Sequence, residues 1–526
     1  MSTSKTKKAK ILTAEEQQDQ ENQRRVSDCF KDFYDDCTHL DMAKLVKELN
    51  GNIVCGDLEN SLFYRFNQSN GIWEMFHESE FNIMISTEVM PVIISAHVKY
   101  LKDSKSPEEK KFIEKKFKTL RKNAKTGPFL ENVRKLLAPM IYDKDFRDKL
   151  NKNPWHVNFK NGVFDFSSFE KDCFRQRKKE DYVSHVLDYD YKPMDDYLKG
   201  IMEDLRKKLI QIHNDNEESM EASLKWRAYC LLGYKNLKHF KIDVGHRAEN
   251  GKSSEANMFY YCFTIYCHKF SADFFKLGYS KRHKDLFELL TRPVRYGLKE
   301  ELDESSLDID YIKMFVDAEP LPVEILYSTI KYAQNNMAIE FISNHSPQFK
   351  ACNGFLRRIW LETYRNRFLQ QSQYDEEVAN NGGEAPNGVY LADLDFIDKF
   401  KNDVDYKLAF FHLLRPHCRR FCKYKVIEDI PKNWTEDAKD LHNENDKMKF
   451  YIDTYYNLVK DSEMGKIDFI DHYHNANKNK TSWPLLLNDL KRLGYEYKKD
   501  GRDKDKNKGI IIGLQLKEDN NNNILD

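Results

Sequence analysis

The sequence predicts a multidomain chain of mixed α/β and α class, and three observations carry that prediction. A length of 526 residues corresponds to roughly three or four domains and to more than one core. Residues 239–263, HFKIDVGHRAENGKSSEANMFYYCF, change from period-two alternation at Phe240, Ile242 and Val244 to helical spacing at Ala256, Phe259, Tyr260 and Phe263, with a polar turn between. That pattern reads as strand, loop, helix. Further strand patterns that end in polar residues follow downstream, and stretches of helical pattern lie on both sides, including residues 195–235 directly ahead of the loop.

Composition narrows the function classes. Lys+Arg 85 against Asp+Glu 85 leaves no net charge, so the chain is not a generic polyanion binder and any nucleic-acid surface must be local. Charged residues make up 32% and the mean hydropathy is -0.76, which fits a soluble protein; no apolar run is expected to span a bilayer. MSTSKTKKAK at the start has no apolar segment behind it that could act as a secretory signal. The ten cysteines contain no C-x-x-C pair, which argues against a zinc ribbon and for reduced, buried thiols in an intracellular protein. Cys418 and Cys422 lie one helical turn apart beside His417, but no second ligand pair appears at matching spacing.

Ahead of the loop, Phe63, Tyr64, Phe66, Trp73 and Phe76 suggest a small packed module. Residues 100–125 are Lys-rich, with Phe112, Phe117 and Leu120 as a narrow apolar stripe, and read as an amphipathic helix with a basic face. Such a face is either solvated or bound to a phosphate backbone. Asn161-Gly162 is a hairpin turn signal, since both residues tolerate positive φ.

The chemistry concentrates at four points. A bound phosphate needs backbone N–H groups at a helix start, a Gly for close approach, a Lys for the β/γ oxygens and a hydroxyl for Mg²⁺. Asn250, Gly251, Lys252, Ser253 and Ser254 answer that need. The full G-x-x-x-x-G-K-[ST] pattern asks for Gly at His246, while Gly245 sits one residue early. The strand Val294, Tyr296, Leu298 ends at Glu300 and Glu301, where a nucleotide-hydrolysing site needs a carboxylate to hold Mg²⁺ or polarise water. The strand Met337, Ile339, Phe341, Ser343 ends at Asn344, whose side chain can hold a water or a γ-phosphate oxygen. Arg357 and Arg358 are either a finger on a neighbouring subunit's nucleotide or structural ion-pair partners.

The order and spacing of these points resemble the superfamily-3 helicases of the AAA+ class, most closely the poxvirus-type primase-helicases of large DNA viruses, phages and mobile elements. The family loop G-x-G-x-N-G-K-S is matched at Asn250, Gly251, Lys252 and Ser253 but not at His246 and Ala248. The family's acidic strand end followed by Ile-Lys is matched by Glu300 with Ile312-Lys313. Its Leu-Tyr-Ser before a hairpin is matched by Leu326-Tyr327-Ser328, its Asn-His-x-Pro by Asn344-His345-Ser346-Pro347, and its Arg-Arg-Ile by Arg357-Arg358-Ile359. WHVNFKNGVFDF with YDYKP is similar to the family's helical domain ahead of the motor, and the last seventy or so residues resemble its winged helix, with Leu486, Leu487, Leu490 and Leu493 as a stripe ended by Gly494 and GIIIGLQL as the return strand.

The resemblance implies a central AAA+ superfamily-3 ATPase with flanking helical domains and a C-terminal winged helix. Its divisions would be 1–22, a disordered basic tail; 23–140, an N-terminal module of unassigned role; 141–235, a helical domain preceding the motor; 236–368, the ATPase; 369–388, a loop; 389–450, a helical region; 451–518, the winged helix; and 519–526, a disordered tail. It further implies ATP and Mg²⁺ as cofactors, with Lys252 on the phosphates, Ser253 and Glu300 organising Mg²⁺ and water, Asn344 sensing the γ-phosphate, and Arg357 or Arg358 completing the next site of a hexameric ring. Lys331 on a hairpin would grip single-stranded or fork DNA, while Lys498, Lys499 and Arg502 on the wing would touch duplex phosphates or be merely solvated. No membrane partner is expected. With no D-x-D pair in a strand context, any primase or polymerase would be a separate chain, and the implied address is an intracellular viral replication site or host cytoplasm, with the nucleus open. The missing glycines leave a second reading open, a hydrolysis-deficient ring or scaffold that binds DNA.

Overall fold

The computed structural model describes residues 38–103, 106–168, 173–245, 248–301, 307–324, 331–344, 353–445, 447–477, 480–499 and 509–517. The expected tails at 1–22 and 519–526 lie outside them. The chain divides into two compact units, Met1–Tyr191 and Lys192–Asp526.

In the first unit, Ile53–Asp57, Leu62–Asn67 and Ile72–Phe76 form an antiparallel sheet in sequence order. Phe63, Trp73 and Phe76 are buried, as the aromatic pattern predicts. Thr38 caps the helix His39–Leu49 through a reciprocal bond with Asp41, and that helix packs on Gly127–Met140 through Met42, Val46, Val133 and Leu137. A second sheet, His156–Phe159, Gly162–Asp165 and Phe174–Arg175, follows. The register pairs Phe159 with Gly162, so the turn is Lys160-Asn161, one residue ahead of the sequence reading, and the Asn161 amide holds Tyr191 N and O.

This sheet corrects the expectation of one helical domain over 141–235. The Arg177 guanidinium donates to Asn70 O and Lys160 O, and Trp73 N donates to Val183 O at 2.7 Å. These bonds bind residues 141–191 to the N-terminal module, and after the single turn Phe146–Lys149 the long helices of this stretch begin at Asp196–Ile212.

Two further expectations change. The basic helix runs Pro107–Asn123, with Ile113 and Leu120 buried and Phe117 stacked on His97 at 3.8 Å, while Phe112 is 56% exposed under Lys116 Nζ. The sequence reading found no run able to span a bilayer, yet Glu78–Lys102 passes by length and composition alone, with 39% of its most apolar window buried. Phe81, Met84, Ile85, Val89 and Ile93 of this run belong to the core of the unit.

The second unit is built on five strands: β1 (Phe240–Val244), β2 (Cys267–Lys269), β3 (Tyr296–Glu300), β4 (Ala338–Ser343) and β5 (Ile359–Thr363). Their order is β5-β1-β4-β3-β2, and every neighbouring pair is parallel. Alternation sends Phe240, Ile242, Val244, Ile339, Phe341, Ile359 and Leu361 to one face, where they meet Phe275 and Phe315. The other face carries Lys241, Asp243, Glu340 and Glu362, equally buried, where a parallel sheet covered on both sides ordinarily carries apolar residues. Arg295 and Lys299 are buried as well: Arg295 donates to Leu231 O, and Lys299 donates to Glu300 O and Glu301 O.

The expected loop over 369–388 contains a helix, Gln371–Asn380, beside a short parallel pair, Arg367–Leu369 and Val389–Leu391. Helices Phe396–Asn402, Val404–Tyr424, Lys432–Asn445 and Lys447–Tyr455 follow. The C-terminal part is strand Tyr456–Gly465, helices Lys466–Asn477 and Trp483–Arg492, and strands Glu496–Lys499 and Gly509–Leu516, the last strand lying between the other two. Leu486 and Leu490 of the predicted stripe enter a core with Tyr451, Phe469, Ile511 and Leu514, and Gly494 takes φ 90° just past the helix end, a conformation that suits glycine.

Candidate functional site

Three strand ends meet at the C-terminal edge of the parallel sheet: β1 leads to Gly245, β3 to Glu300 and β4 to Asn344. Such an edge is where open α/β sheets take ligands. Gly251, with φ 83°, turns the chain left-handed into the helix Lys252–Cys262. Lys252 is its first residue and is buried, and burial holds its ammonium below the usual lysine range. Nζ donates to Asn344 Oδ1 at 2.6 Å and to Asn250 Oδ1 at 3.3 Å. Both acceptors are neutral amides.

The loop solves its closure differently from the G-x-G pattern. A Cβ on Gly245 would stand 1.7 Å from Asn250 Nδ2, so this glycine makes room for the buried asparagine side chain. Glu249, not a glycine, takes φ 66°, and its carbonyl accepts from Phe368 N at 2.7 Å. Ala248 is exposed and Asn250 buried, while His246 lies outside the described residues. A cavity of about 380 Å³ is lined by Ala248 and Glu249 of this turn together with Arg367, Gln373, Glu377 and Asn380 among others.

The remaining predicted residues sort as follows. Ser253 is exposed and Ser254 half-buried on the loop helix. Glu300 accepts from Lys269 Nζ at 3.0 Å and Asn257 Nδ2 at 3.4 Å; Asn257 is one turn beyond Ser253, on the same helix face. Arg358 grips Asp317 with Nε–Oδ1 at 2.8 Å and Nη2–Oδ2 at 2.6 Å and also donates to Gly354 O, whereas Arg357 is exposed. Lys331 opens the strand Lys331–Ala333, which pairs antiparallel with Leu321–Val323; Tyr327 and Ser328 lie outside the described residues. Lys498 and Lys499 are exposed at the end of Glu496–Lys499, and Arg502 is outside the described residues. Cys418 and Cys422 are buried free thiols, and His417 faces Glu221 at 3.5 Å. Among the described residues no group of three or more metal-ligating side chains gathers.

Sequence reasoning missed the charged layer beneath the loop helix. Glu255 accepts from Ser223 Oγ at 2.6 Å and Arg227 Nε at 3.3 Å, and Arg227 forks onto Glu340 at 2.7 and 2.8 Å. Lys241 Nζ pairs with Glu362 Oε2 at 2.9 Å and also stands 2.9 Å from Asp243 Oδ1, outside hydrogen-bond geometry. Burial keeps the Asp243 carboxyl well above the usual carboxylate range despite the nearby Lys241. The available signal was alternation in β1, where Lys241 and Asp243 take every second position between Phe240, Ile242 and Val244, with single carboxylates at Glu340 in β4 and Glu362 in β5.

Residues 43–228 match the family described as D5 N terminal like. The chain is 22% identical over 464 residues to the helicase candidate L207/L206 of Acanthamoeba polyphaga mimivirus, covering 84% of this chain and 45% of that protein. It is 39% identical over 59 residues to the helicase candidate 121R of Invertebrate iridescent virus 3, covering 11% of this chain and 6% of that one. It thus spans less than half the length of these curated relatives. Among solved structures, the apo A form of the NrS-1 C-terminal region aligns at 10% identity and a TM-score of 0.35, over 62% of this chain and 77% of that one, a likeness too distant to carry an argument. The D5 N-terminal-like match and the relatives from large DNA viruses thus liken the chain to viral primase-helicases.

Proposed function

We propose that the chain is an ATP-dependent DNA helicase motor of the AAA+ superfamily-3 type, working as a homo-oligomeric ring, a hexamer by family analogy, on single-stranded or fork DNA during viral or mobile-element replication. The observation that carries this reading is the buried Lys252 ammonium, held at a helix start by the neutral amides of Asn250 and Asn344. A buried cation whose hydrogen-bond acceptors among the described residues are neutral amides is poised for an anion, and a helix N-terminus favours phosphate. The residues therefore fit a nucleoside triphosphate.

In this reading Lys252 holds the β/γ oxygens, and Asn344, already bonded to Lys252, exchanges that contact for the γ-phosphate or the attacking water. Ser253 supplies a hydroxyl ligand to Mg²⁺, which would neutralise developing phosphate charge. Glu300 orients the water, its carboxylate aimed by Lys269 and Asn257. Arg357 lies just ahead of β5, at the edge of the parallel sheet opposite the loop, so it suits a neighbour's nucleotide and not its own. Arg358 is committed to Asp317 and serves as its anchor.

On the DNA side, Lys331 on its short hairpin would contact a single strand, and Lys498, Lys499 and Arg502 would contact duplex phosphates at the tip of a winged helix. The helix, strand, two helices and antiparallel strand pair over Lys447–Leu516 support that module. The site of action would be an intracellular viral replication site, with priming or polymerisation on a separate chain.

Asn250 filling the space over Gly245 favours a second reading, a ring or scaffold that binds DNA without productive hydrolysis. ATP turnover by the full chain, with and without single-stranded DNA and beside Lys252→Ala, decides between them. Stimulated turnover abolished by the substitution supports the motor, while turnover no greater than that of the variant, with DNA binding intact, supports the scaffold.

A further inference from the structure

The loop helix is fastened from below by a single carboxylate. Glu255, its fourth residue, is 1% exposed and takes contacts from three other elements. Ser223 Oγ and Arg227 Nε come from the helix Glu217–Leu232. His213 Nε2, just past the end of Asp196–Ile212, stands 3.2 Å from Glu255 Oε2 as a charge contact outside hydrogen-bond geometry, and the Tyr364 hydroxyl just past β5 donates to the same oxygen at 3.1 Å. His213 also donates from Nδ1 to Glu362 Oε1 on β5 at 2.7 Å. Between the two carboxylates His213 is pulled down by burial but pushed up more strongly by Glu362 and Glu255, to about 9, so it bridges them as a cation.

A helix has two soft degrees of freedom on a sheet, rotation about its axis and sliding along it. Apolar contacts resist both only weakly, whereas directional bonds to a buried carboxylate resist both strongly. Lys252 lies three residues before Glu255, within one turn, so the orientation that Glu255 fixes is also the orientation of Lys252 and Ser253. Apart from Tyr364, these groups come from or just beyond the two helices that lead into the sheet, so a shift of either helix relocates the clamp.

We propose that Glu255, with His213 and Glu362, is a positioning group that sets the loop helix for hydrolysis and couples it to the helices Asp196–Ile212 and Glu217–Leu232. The proposal rests on the nucleotide-hydrolysing reading of the loop. A displacement near 1 Å can cost about 100-fold in rate while leaving ground-state contacts largely intact, so the signature is a loss of kcat at retained affinity.

The test uses the full chain and a fluorescent ATP analogue to count binding sites, with turnover expressed per bound site. For Glu255→Gln, His213→Gln and the double variant, binding stays within about threefold of the parent while kcat per site falls roughly 10- to 100-fold. The double variant is no worse than the poorer single one, because the groups act as a unit. Ser223→Ala and Tyr364→Phe each delete one hydroxyl without changing shape and guard against unfolding; each lowers kcat several-fold at unchanged affinity. Parent turnover per site in the variants that bind, or singles whose losses multiply, overturns the proposal while the Lys252-dependent activity of the parent stands. Absence of turnover in the parent overturns the hydrolase reading itself, and this proposal with it.

Discussion

Lys252 Nζ and Asn344 Oδ1 are 2.6 Å apart, which hydrogen-bonds the first residue of the loop helix to the end of β4. The contact joins the group that would bind phosphate to the group that would report its presence. Lys252→Ala should abolish nucleotide binding and reduce turnover more than 100-fold, whereas Asn344→Ala should keep binding within about threefold and lower kcat roughly 10- to 100-fold. Steady-state ATPase assays beside equilibrium nucleotide binding separate the two patterns, and equal loss of binding in both variants would remove the sensing role.

The two adjacent arginines should behave differently. Arg357→Ala should leave thermal stability unchanged, abolish turnover, and poison mixed assemblies with parent subunits by more than their share. Arg358→Ala strips Asp317 of a mostly buried partner, with side chains 11% and 16% exposed, and should cost roughly 3 kcal/mol of stability. Calorimetry and a subunit-mixing titration of ATPase activity check both; a proportionate, linear mixing curve would rule out action across a subunit boundary.

Gly245→Ala should damage the site without unfolding the chain. The new methyl would stand 1.7 Å from Asn250 Nδ2, so the asparagine must leave and Lys252 loses one of its two amide acceptors. Nucleotide affinity should fall at least tenfold, and Gly245→Ala with Asn250→Gly should restore part of it. Binding measured by fluorescence for the single and double variants tests this; no recovery in the pair would mean that the glycine serves another purpose.

Stability should depend on pH through His213. Its folded value, near 9, lies above the ordinary histidine value of about 6.5, so its stabilisation is fully present below about pH 6.5 and is lost as pH rises through 9. The loss is on the order of 3 kcal/mol. Melting temperatures from pH 6 to pH 9.5 should decline in the parent and stay flatter in His213→Gln over the same window; parallel curves would show that the imidazole is not charged in the fold.

If the C-terminal strands carry duplex contacts, Lys498→Glu with Lys499→Glu should weaken DNA binding uniformly across sequences and reduce the salt dependence by about two phosphate contacts. Binding isotherms at several salt concentrations read the slope directly, and an unchanged slope would return these lysines to the solvated surface.

How much of this was legible in the sequence follows from the physics of each element. The loop was legible because a strand-to-helix change of period around Gly251-Lys252-Ser253 is local information, and so were the strand ends at Glu300 and Asn344. The apolar stripe at Leu486 and Leu490 and the packed aromatic module around Trp73 were legible for the same reason. The 141–235 boundary was not, because what binds residues 141–191 to the first unit is Arg177 and Trp73 reaching across more than a hundred positions. The helix Gln371–Asn380 was missed because its polar sequence buries nothing, which leaves no periodic signal to read. The role of Glu255 was hidden because a glutamate in a first helical turn reads as an ordinary exposed dipole partner, and only the fold brings His213 and Arg227 beneath it.

The two faces of the central sheet have unequal freedom to vary. Ile242, Phe341 and Leu361 sit among other apolar side chains, where volume-conserving exchanges are tolerated one at a time. Lys241, Glu340, Glu362, Arg227, Glu255 and His213 answer one another's charge, so a single replacement strands a partner and descendants can leave this arrangement only by several changes together. Divergence among relatives should therefore erode the greasy side residue by residue, while the ionic side persists entire or is exchanged as a block. Two homologues that differ there at all should differ at most of those six positions.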